Sequence, residues 1–382
     1  MIVQDSSSRI SILLPDLHVG GAERVGINLA NDFVARGMQV DMVLMSAEGE
    51  LLHALDSRVQ VIDLRARRIR ESIAPLRRYF SAARPQGMIV NMWPLTIAAL
   101  VARRQARLPI RTVLVEHTSW SIDENSQDFL KRLLVKATMR AFYRNADAVV
   151  AVSQGAANDL AQFSGLRPSS ITVIYNPIVI QSVGKDVSPP LAEEWWKGNH
   201  KRVLAVGSLK VIKGYPILVH AFARLCKRID AKLLILGEGS ERSSLEELIC
   251  RLGLADRVYM PGLVQDPAPY FAHANLHVLS SYGEGFGNVI VEALEHGTPV
   301  VSSDCPSGPR EILVDGKFGR LVPVGEINLL ASEMEEALLS EHDPAALKHR
   351  AQDFTVGKAA DAYLHLLFPE RSGTEGRHLK WS

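Results

Sequence analysis

Short apolar segments alternate with longer segments of mixed polarity along most of the 382-residue chain. The short segments are rich in hydrophobic, often β-branched residues, which is typical of strands buried in a parallel sheet. Seven predicted strands precede residue 177, namely 10–14, 40–45, 59–62, 87–91, 112–116, 148–152 and 171–175. Six more follow, namely 202–206, 232–236, 258–260, 276–280, 299–302 and 319–322. Because helical segments separate them, the pattern predicts two series of βαβ units.

A polar stretch from Val183 to Pro190, before the pair Trp195 and Trp196, separates the two series. Its composition is typical of a loop, so the domain junction is expected near residues 177–200. The sequence therefore predicts an α/β protein of two doubly wound Rossmann-like domains that face a shared cleft.

The predicted domain limits follow from this junction. Residues 1–185 would form the first domain and residues 186–350 the second. In the remaining segment, 351–382, residues 352–368 are predicted to form one amphipathic helix, followed by a frayed tail from Pro369 onward.

Composition disfavours several classes of function. A formal net charge of +1 gives no sign of nucleic-acid binding, and three cysteines without metal-ligand spacing predict reduced thiols and no zinc site. The polar N-terminal segment leads directly into the first strand, so no signal peptide is predicted, and no apolar run approaches the ~20 residues of a membrane-spanning helix. We therefore expect a cytoplasmic protein that uses neither a metal nor a cofactor.

Basic residues are unevenly distributed within the predicted first domain. Six arginines occur between Arg65 and Arg78, and five basic residues recur from Lys131 to Arg144 along a predicted helix. Such runs often form ordinary solvated faces. The alternative is a surface that rests on an anionic membrane, and the sequence leaves both interpretations open.

The segment 280–292 carries the most informative chemistry of the chain. Its two carboxylates, Glu284 and Glu292, lie on either side of a glycine-rich turn, with seven residues between them. The glycines leave room for a ligand beside the backbone, and the amide groups from Phe286 to Val289, at the start of an apolar helix, would face an anion. Because a predicted parallel strand precedes this segment, it lies where open α/β sheets bind ligands. The segment predicts a nucleotide-sugar site.

Two other loops that follow predicted strands are candidates for anion binding. Gly20 and Gly21 open a helix and would let a phosphate or sugar approach the backbone, although a plain tight turn has the same sequence. The segment lacks the GxGxxG spacing of dinucleotide-binding proteins. Lys210 and Lys213 follow the first strand of the second series. Since the chain has no DxD sequence to hold a metal, a side-chain cation must stabilise a diphosphate leaving group, and we predict Lys213.

Three further strand ends carry polar or turn-forming residues. His117 directly follows Glu116; a single histidine is more often structural, but this one lies at the sheet edge that should face the cleft. The segments Gly237–Gly239 and Asn176–Pro177 occupy equivalent positions and by themselves indicate only turns.

Assembled in chain order, these motifs resemble those of the retaining glycosyltransferases of family 4, over nearly the whole chain. The motifs that carry the resemblance are Gly20-Gly21, Glu116-His117, Asn176-Pro177, Val206-Gly207 with Lys213-Gly214, Gly237-Glu238-Gly239, Glu284 to Glu292, and Ser307-Gly308-Pro309-Arg310-Glu311. The resemblance implies the GT-B fold, with a C-terminal helix that crosses back to the first domain.

The same resemblance implies roles for residues of the cleft. Glu284 would contact the transferred sugar, Lys213 the diphosphate and His117 the donor sugar or its surroundings. These three are the predicted catalytic residues. The implied donor-binding residues are Gly20, Gly21, Ser208, Lys210, Gly237, Glu238, Gly285, Phe286, Gly287, Asn288 and Glu292, the last on the ribose hydroxyls. The chain departs from many relatives at Ser208, where they have arginine, and Lys210 is the candidate to replace that cation.

The implied activity is transfer of a hexose or N-acetylhexosamine from a nucleotide sugar, with a UDP-sugar favoured, to a hydroxyl of a glycan acceptor with retained anomeric configuration. Similarity to bacterial enzymes of polysaccharide biosynthesis implies a polyprenyl-diphosphate-linked acceptor and peripheral contact with the inner face of the cytoplasmic membrane. A catalytically inactive GT-B scaffold in a polysaccharide-assembly complex and a nucleotide-sugar epimerase remain alternatives. A phosphorylase and a nicotinamide-dependent dehydrogenase are disfavoured, the latter by the missing glycine fingerprint.

Overall fold

A computed structural model describes residues 8–121, 129–180, 183–184 and 186–369. The predicted polar N-terminal segment, apart from its last residues, and nearly all of the predicted C-terminal tail lie outside these ranges. Within the ranges, no helix combines the length and the apolar character needed to cross a bilayer.

The first domain is built on a seven-stranded parallel sheet in the order β3-β2-β1-β4-β5-β6-β7. Its strands are β1 (Arg9–Leu14), β2 (Gln39–Leu44), β3 (Gln60–Asp63), β4 (Gly87–Asn91), β5 (Arg111–Glu116), β6 (Ala148–Ala151) and β7 (Ile171–Val173). Its helices are α1 (Gly21–Ala35), α2 (Ile69–Ala83), α3 (Leu95–Ala106), α4 (Phe129–Phe142) and α5 (Gln154–Ser164). The central strands are buried on both faces because helices cover both sides, which explains their predominantly apolar sequences.

The second domain contains a six-stranded parallel sheet in the order β10-β9-β8-β11-β12-β13. Its strands are β8 (Lys201–Val206), β9 (Ala231–Leu236), β10 (Val258–Gly262), β11 (Leu276–Leu279), β12 (Val300–Ser303) and β13 (Arg320–Val322). The helices after β8 are α6 (Tyr215–Leu225), α7 (Arg242–Arg251), α8 (Ala268–His273), α9 (Asn288–Glu295), α10 (Pro309–Ile312), α11 (Ile327–Leu339), α12 (Pro344–Ala351) and α13 (Val356–Leu367). The predicted fold class, two doubly wound α/β domains, is confirmed.

The end of the chain differs from the prediction of one helix over residues 352–368. Residues Gln352–Phe354 form a 3-10 turn, and α13 begins only at Val356. The cause is Thr355, whose extended backbone forms an isolated parallel bridge with Ile178, while the Ile178 amide donates to the Phe354 carbonyl over 2.9 Å. Pairing with the segment that links the two sheets therefore interrupts the helix.

Helix α13 packs on the first domain although it follows the second in sequence. It lies against α1 and β5, and Arg36 of α1 forms an ion pair with Asp361. The buried core around Phe33 and Tyr363 continues through Phe354 to Phe286 at the edge of the second sheet. This shared core connects the two sheets, and the exact domain limits stay a prediction.

Candidate active site

A cavity of about 690 Å³ lies between the carboxyl ends of the two sheets. The first domain contributes loops after β1, β5 and β7, and the second contributes loops after β8, β9, β10 and β11. The predicted site residues all line this cavity, namely Gly20, Gly21, His117, Ser208, Lys210, Lys213, Gly237, Glu238, Glu284, Gly285, Phe286, Gly287, Asn288 and Glu292. Their placement fits one ligand site, and their individual roles stay a prediction.

Lys213 and Glu284 form an ion pair on the second-domain wall of the cavity. The Lys213 Nζ atom lies 2.7 Å from Oε1 and 2.9 Å from Oε2 of Glu284. Ser281 Oγ donates a third hydrogen bond to Oε1 over 2.6 Å. The carboxylate side chain is 9% exposed and the lysine 24%, so water screens this pair less than a surface pair. An anion that enters the cavity would therefore meet a lysine that Glu284 already holds in place.

Glu292 and the start of α9 form the adjacent wall. Gly287, with φ of +100°, precedes α9, so the first amide groups of the helix at Asn288 and Val289 have no partner within the helix. Burial raises the pKa of the Glu292 carboxyl, and the positive charge of Arg24 partly opposes this shift. Arg24 belongs to α1 of the first domain and also donates to the carbonyl of Gln265 over 3.2 Å. The wall can bind both an anion and hydroxyl groups.

His117 lies on the opposite wall in a fixed tautomer. Asn91 donates through Nδ2 to the Leu13 carbonyl over 3.1 Å, so its Oδ1 faces the ring and accepts from His117 Nε2 over 2.9 Å. The Nδ1 atom is then the unprotonated acceptor, and it is buried without a hydrogen-bond partner among the described residues. Burial also lowers the pKa of His117 to about 4, so the ring is neutral at pH 7. Such a ring can accept a hydrogen bond from a ligand hydroxyl.

The loop that carries Glu284 contacts the first domain directly. Ser119 Oγ donates to the Glu284 carbonyl over 2.9 Å, and Ser153 Oγ donates to the Gly285 carbonyl over 2.7 Å. A Cβ atom on Gly285 would lie only 1.9 Å from the His117 carbonyl oxygen. The absence of a side chain at this position therefore brings the two walls together.

A second contact between the domains involves Glu311. The Glu311 carboxylate accepts from the amide groups of Gln154 and Gly155, each over 2.8 Å, at the start of α5. The Tyr175 hydroxyl also donates to it over 3.2 Å. A carboxylate at a helix N-terminus is a favourable arrangement, so Glu311 acts as an interdomain cap.

The remaining predicted residues occupy the rim of the cavity. Gly237 approaches the end of β8 so closely that a Cβ atom would lie 2.0 Å from the Gly207 carbonyl oxygen. Glu238 is engaged by Arg242 over 2.6 and 2.8 Å and is thereby turned toward α7. Lys210 is exposed on this rim. Burial raises the pKa of Glu23, and the charge of Lys210 partly opposes that shift. Both carboxylate oxygens of Glu238 thus already accept hydrogen bonds from Arg242.

Sequence reasoning missed three residues that shape the site: Arg24, Asn91 and Ser119. Asn91 ends the apolar strand Gly87–Asn91, and that single polar position was the available signal. For Arg24 and Ser119 no local pattern reveals which partner they face, because both bind groups more than 150 residues away in sequence.

Metal binding has no side-chain basis within the described ranges. There, no three His, Cys, Asp or Glu side chains lie close enough together to hold an ion.

Two family models match this chain. The model described as Glycosyltransferase Family 4 matches residues 19–182, and the model described as Glycosyl transferases group 1 matches residues 200–340. The first therefore covers most of the domain that contributes His117, and the second covers most of the domain that contributes Lys213, Glu284 and Glu292.

Characterised bacterial glycosyltransferases are among the related proteins. The chain is 32% identical over 251 residues, 66% of either chain, to N-acetylgalactosamine-N,N'-diacetylbacillosaminyl-diphospho-undecaprenol 4-alpha-N-acetylgalactosaminyltransferase of Campylobacter jejuni. It is 27% identical over 356 residues to the lipopolysaccharide core biosynthesis glycosyltransferase LpsE of Rhizobium meliloti, covering 91% of this chain and 96% of that one.

Solved structures of glycosyltransferases share the fold. HepE of Anabaena, crystallised with UDP-glucose, superimposes with a TM-score of 0.80 at 23% identity, covering 94% of this chain and 99% of that one. A glycosyltransferase of Rickettsia africae gives a TM-score of 0.81 at 17% identity, covering 96% of this chain and all of that one. Because the family models account for most of both domains and the architecture agrees, the chain belongs to the family 4 (group 1) glycosyltransferases of GT-B fold.

Proposed function

We propose that this protein is a retaining glycosyltransferase that moves a hexose or N-acetylhexosamine from a UDP-sugar to a hydroxyl of a lipid-linked glycan. The observation that carries the proposal is the convergence of Lys213, the first turn of α9 and Glu292 on the second-domain side of the interdomain cavity, opposite the neutral ring of His117. A cation and helix amides suit a diphosphate, and a carboxylate suits ribose hydroxyls.

Donor binding would break the ion pair between Lys213 and Glu284. The diphosphate would approach Lys213 and the amides of Asn288 and Val289, while Glu284 turns toward the sugar that is transferred. His117 Nδ1, an acceptor without a described partner, would accept from a hydroxyl of that sugar. Lys210 would supply the second cation, because Ser208 stands where many relatives have arginine.

The proposed reaction is a substitution on one face of the sugar. The bond between the anomeric carbon and the UDP oxygen breaks, the acceptor oxygen bonds to that carbon on the same face, and the acceptor proton moves to the departing phosphate oxygen. The protein would stabilise the oxocarbenium charge through Glu284 and the diphosphate charge through Lys213. No protein nucleophile takes part.

The acceptor is proposed from the relatives and from surface charge. The Campylobacter relative is named for a diphospho-undecaprenol substrate, and the Rhizobium relative for lipopolysaccharide core biosynthesis. Six arginines between Arg65 and Arg78 are exposed around the start and along the length of α2. A membrane-held acceptor requires peripheral contact with the bilayer, and cations near an anionic surface contribute to it.

A screen of nucleotide sugars by mass spectrometry tests this proposal. We expect release of UDP from one UDP-sugar, and transfer when a matching glycan-lipid acceptor is supplied. An epimerised sugar nucleotide with no UDP release would identify an epimerase, and nucleotide binding without turnover of any donor would identify an inactive scaffold.

Replacement of Glu292 with alanine is expected to weaken UDP binding. Hydrogen bonds to a charged group contribute about 1.5–3 kcal/mol, so the Kd for UDP should rise about 10- to 100-fold. Calorimetry with free UDP measures this change. Glu247→Ala, which removes an exposed carboxylate from α7 outside the cavity, is the matched control. Unchanged UDP affinity in Glu292→Ala would contradict the ribose assignment.

Transfer is expected to continue in excess EDTA. Lys213 and the amide groups at the start of α9 would take the part that a divalent cation plays in other transferases, since they line the donor wall of the cavity. Initial rates with and without chelator measure this. Abolition by EDTA together with restoration by Mg²⁺ or Mn²⁺ would show that a metal is required.

A further inference from the structure

Helix α4 has two apolar faces, and only one of them packs against the described part of the protein. Val135 and Met139 are buried in the first-domain core, and Thr138 accepts from Trp93 Nε1 over 3.1 Å. The opposite side, here named the α4 outer face, consists of Leu130, Leu133, Leu134, Ala137 and Ala141. Their spacing of i, i+3, i+4, i+7 and i+11 places them on one stripe of the helix.

The α4 outer face is open to solvent. Leu133 is 54% exposed, Leu134 is 59% exposed and Leu130 is 74% exposed, and both alanines are exposed as well. Single exposed leucines are ordinary on protein surfaces, as with Leu329 and Leu339, which lie ten residues apart on α11. Three exposed leucines within five residues form a patch, and such patches mark contact surfaces.

Cations border this patch along one edge. On a helical projection Lys136 and Arg140 lie beside Leu133, whereas Arg132 lies nearer the face that carries the buried Met139. The guanidinium of Arg132 rests on the Phe163 ring of α5, 5.5 Å from its centroid. Residues 129–145 contain five basic residues and no acidic one. An apolar stripe with a cationic border complements an anionic lipid surface.

The patch on α4 lies at the same edge of the first sheet as the cavity. The helix follows β5, so its leucine-bearing N-terminal half lies toward the carboxyl edge of the sheet, where His117 lines the cavity. Between them, Ser119 bonds to the Glu284 loop and Trp120 stacks on Phe163. Helices α2, α3 and α4 pack side by side, so the arginines of α2 belong to the same helical layer.

We propose that the α4 outer face inserts into the headgroup region of an anionic bilayer, with Lys136 and Arg140 on the lipid phosphates. This inference rests on the proposed lipid-linked acceptor. It assigns the hydrophobic contribution to membrane binding to α4, while the arginines of α2 contribute only electrostatic attraction. Attachment there would hold the cavity rim near the surface from which a lipid-linked acceptor projects.

Sedimentation of the full chain with vesicles tests this assignment. The vesicles contain phosphatidylcholine with or without phosphatidylglycerol, at low and at high salt. We expect binding to anionic vesicles, and a decrease in partition of about tenfold or more in Leu133→Gln/Leu134→Gln at either salt concentration. Lys136→Gln/Arg140→Gln and Arg67→Gln/Arg68→Gln/Arg77→Gln/Arg78→Gln should lose binding at low salt only, because salt already screens these charges in the wild type.

Leu339→Gln is the matched control, since it removes a leucine that is 68% exposed on the second domain, and it should bind vesicles like the wild type. The rate of UDP-sugar hydrolysis, measured without vesicles, should be unchanged in the leucine variants. An unchanged rate shows that these variants are folded.

The proposal would be overturned if Leu133→Gln/Leu134→Gln bound vesicles as well as the wild type does. It would also be overturned if the wild type bound neither kind of vesicle. A change of oligomeric state with unchanged vesicle binding would instead identify a second copy as the occupant. Absence of donor turnover in the wild type would refute the proposed function and leave the vesicle result standing.

Discussion

Replacement of Lys213 with alanine is expected to lower kcat for glycosyl transfer by about 10²- to 10³-fold, the loss typical of removing one preorganised charge-stabilising group. The Nζ atom is held by both oxygens of Glu284 at 2.7 and 2.9 Å, within a cavity that also contains the start of α9. Negative charge on the diphosphate grows only as its bond to the sugar breaks. The loss should therefore appear in kcat more than in the KM for the acceptor.

Two controls separate this chemical role from a structural one. Lys210→Ala removes an exposed lysine from the same loop, and we expect a smaller decrease in kcat. Lys213→Ala also leaves the nearly buried Glu284 carboxylate without its cation, which destabilises the fold. The Tm of Lys213→Ala is therefore compared with that of Lys213→Ala/Glu284→Gln, which lacks the unpaired charge. If Lys213→Ala retains wild-type kcat with the correct donor, Lys213 does not stabilise the leaving group.

Replacement of Gly285 with alanine is expected to separate the two walls of the cavity. The new Cβ atom would lie 1.9 Å from the carbonyl oxygen of His117, which is main chain at the end of β5 and cannot rotate away. The hydrogen bonds from Ser119 and Ser153 to this loop, at 2.9 and 2.7 Å, would lengthen or break. Since a misplacement of about 1 Å can cost about 10²-fold in rate, we expect a decrease of that order in kcat.

Solution X-ray scattering distinguishes domain separation from unfolding. Gly285→Ala should have a larger radius of gyration than the wild type with unchanged secondary structure by circular dichroism. Gly357→Ala on α13 is the matched control, because its Cβ atom would meet only Arg36 Nη2 at an ordinary 3.8 Å. Wild-type turnover by Gly285→Ala with unchanged scattering would show that this interdomain approach has no part in catalysis.

Much of the fold could be predicted from the chain because each strand is a local, continuous signal. The strand Gly87–Asn91 is buried at every position, and its apolar residues up to Val90 predict burial on both faces. The cavity loops could also be located, since parallel strands present their carboxyl ends at one edge of a sheet. The ends of helices were predicted less well where a segment distant in sequence pairs with them. At Thr355, for example, pairing with Ile178 shortens the last helix.

The sequence by itself determined the two doubly wound domains, the strand ends that carry chemistry and the family to which the chain belongs. Only the tertiary structure decided that Glu284 holds Lys213, that Asn91 sets the tautomer of His117, and that Arg24 faces Glu292 from the other domain. It also decided that Leu133 and Leu134 point away from the core. The physical reason is that hydrophobic periodicity and turn residues act over a few positions. Hydrogen bonds, ion pairs and exposed faces depend on which distant segments the folded chain brings together.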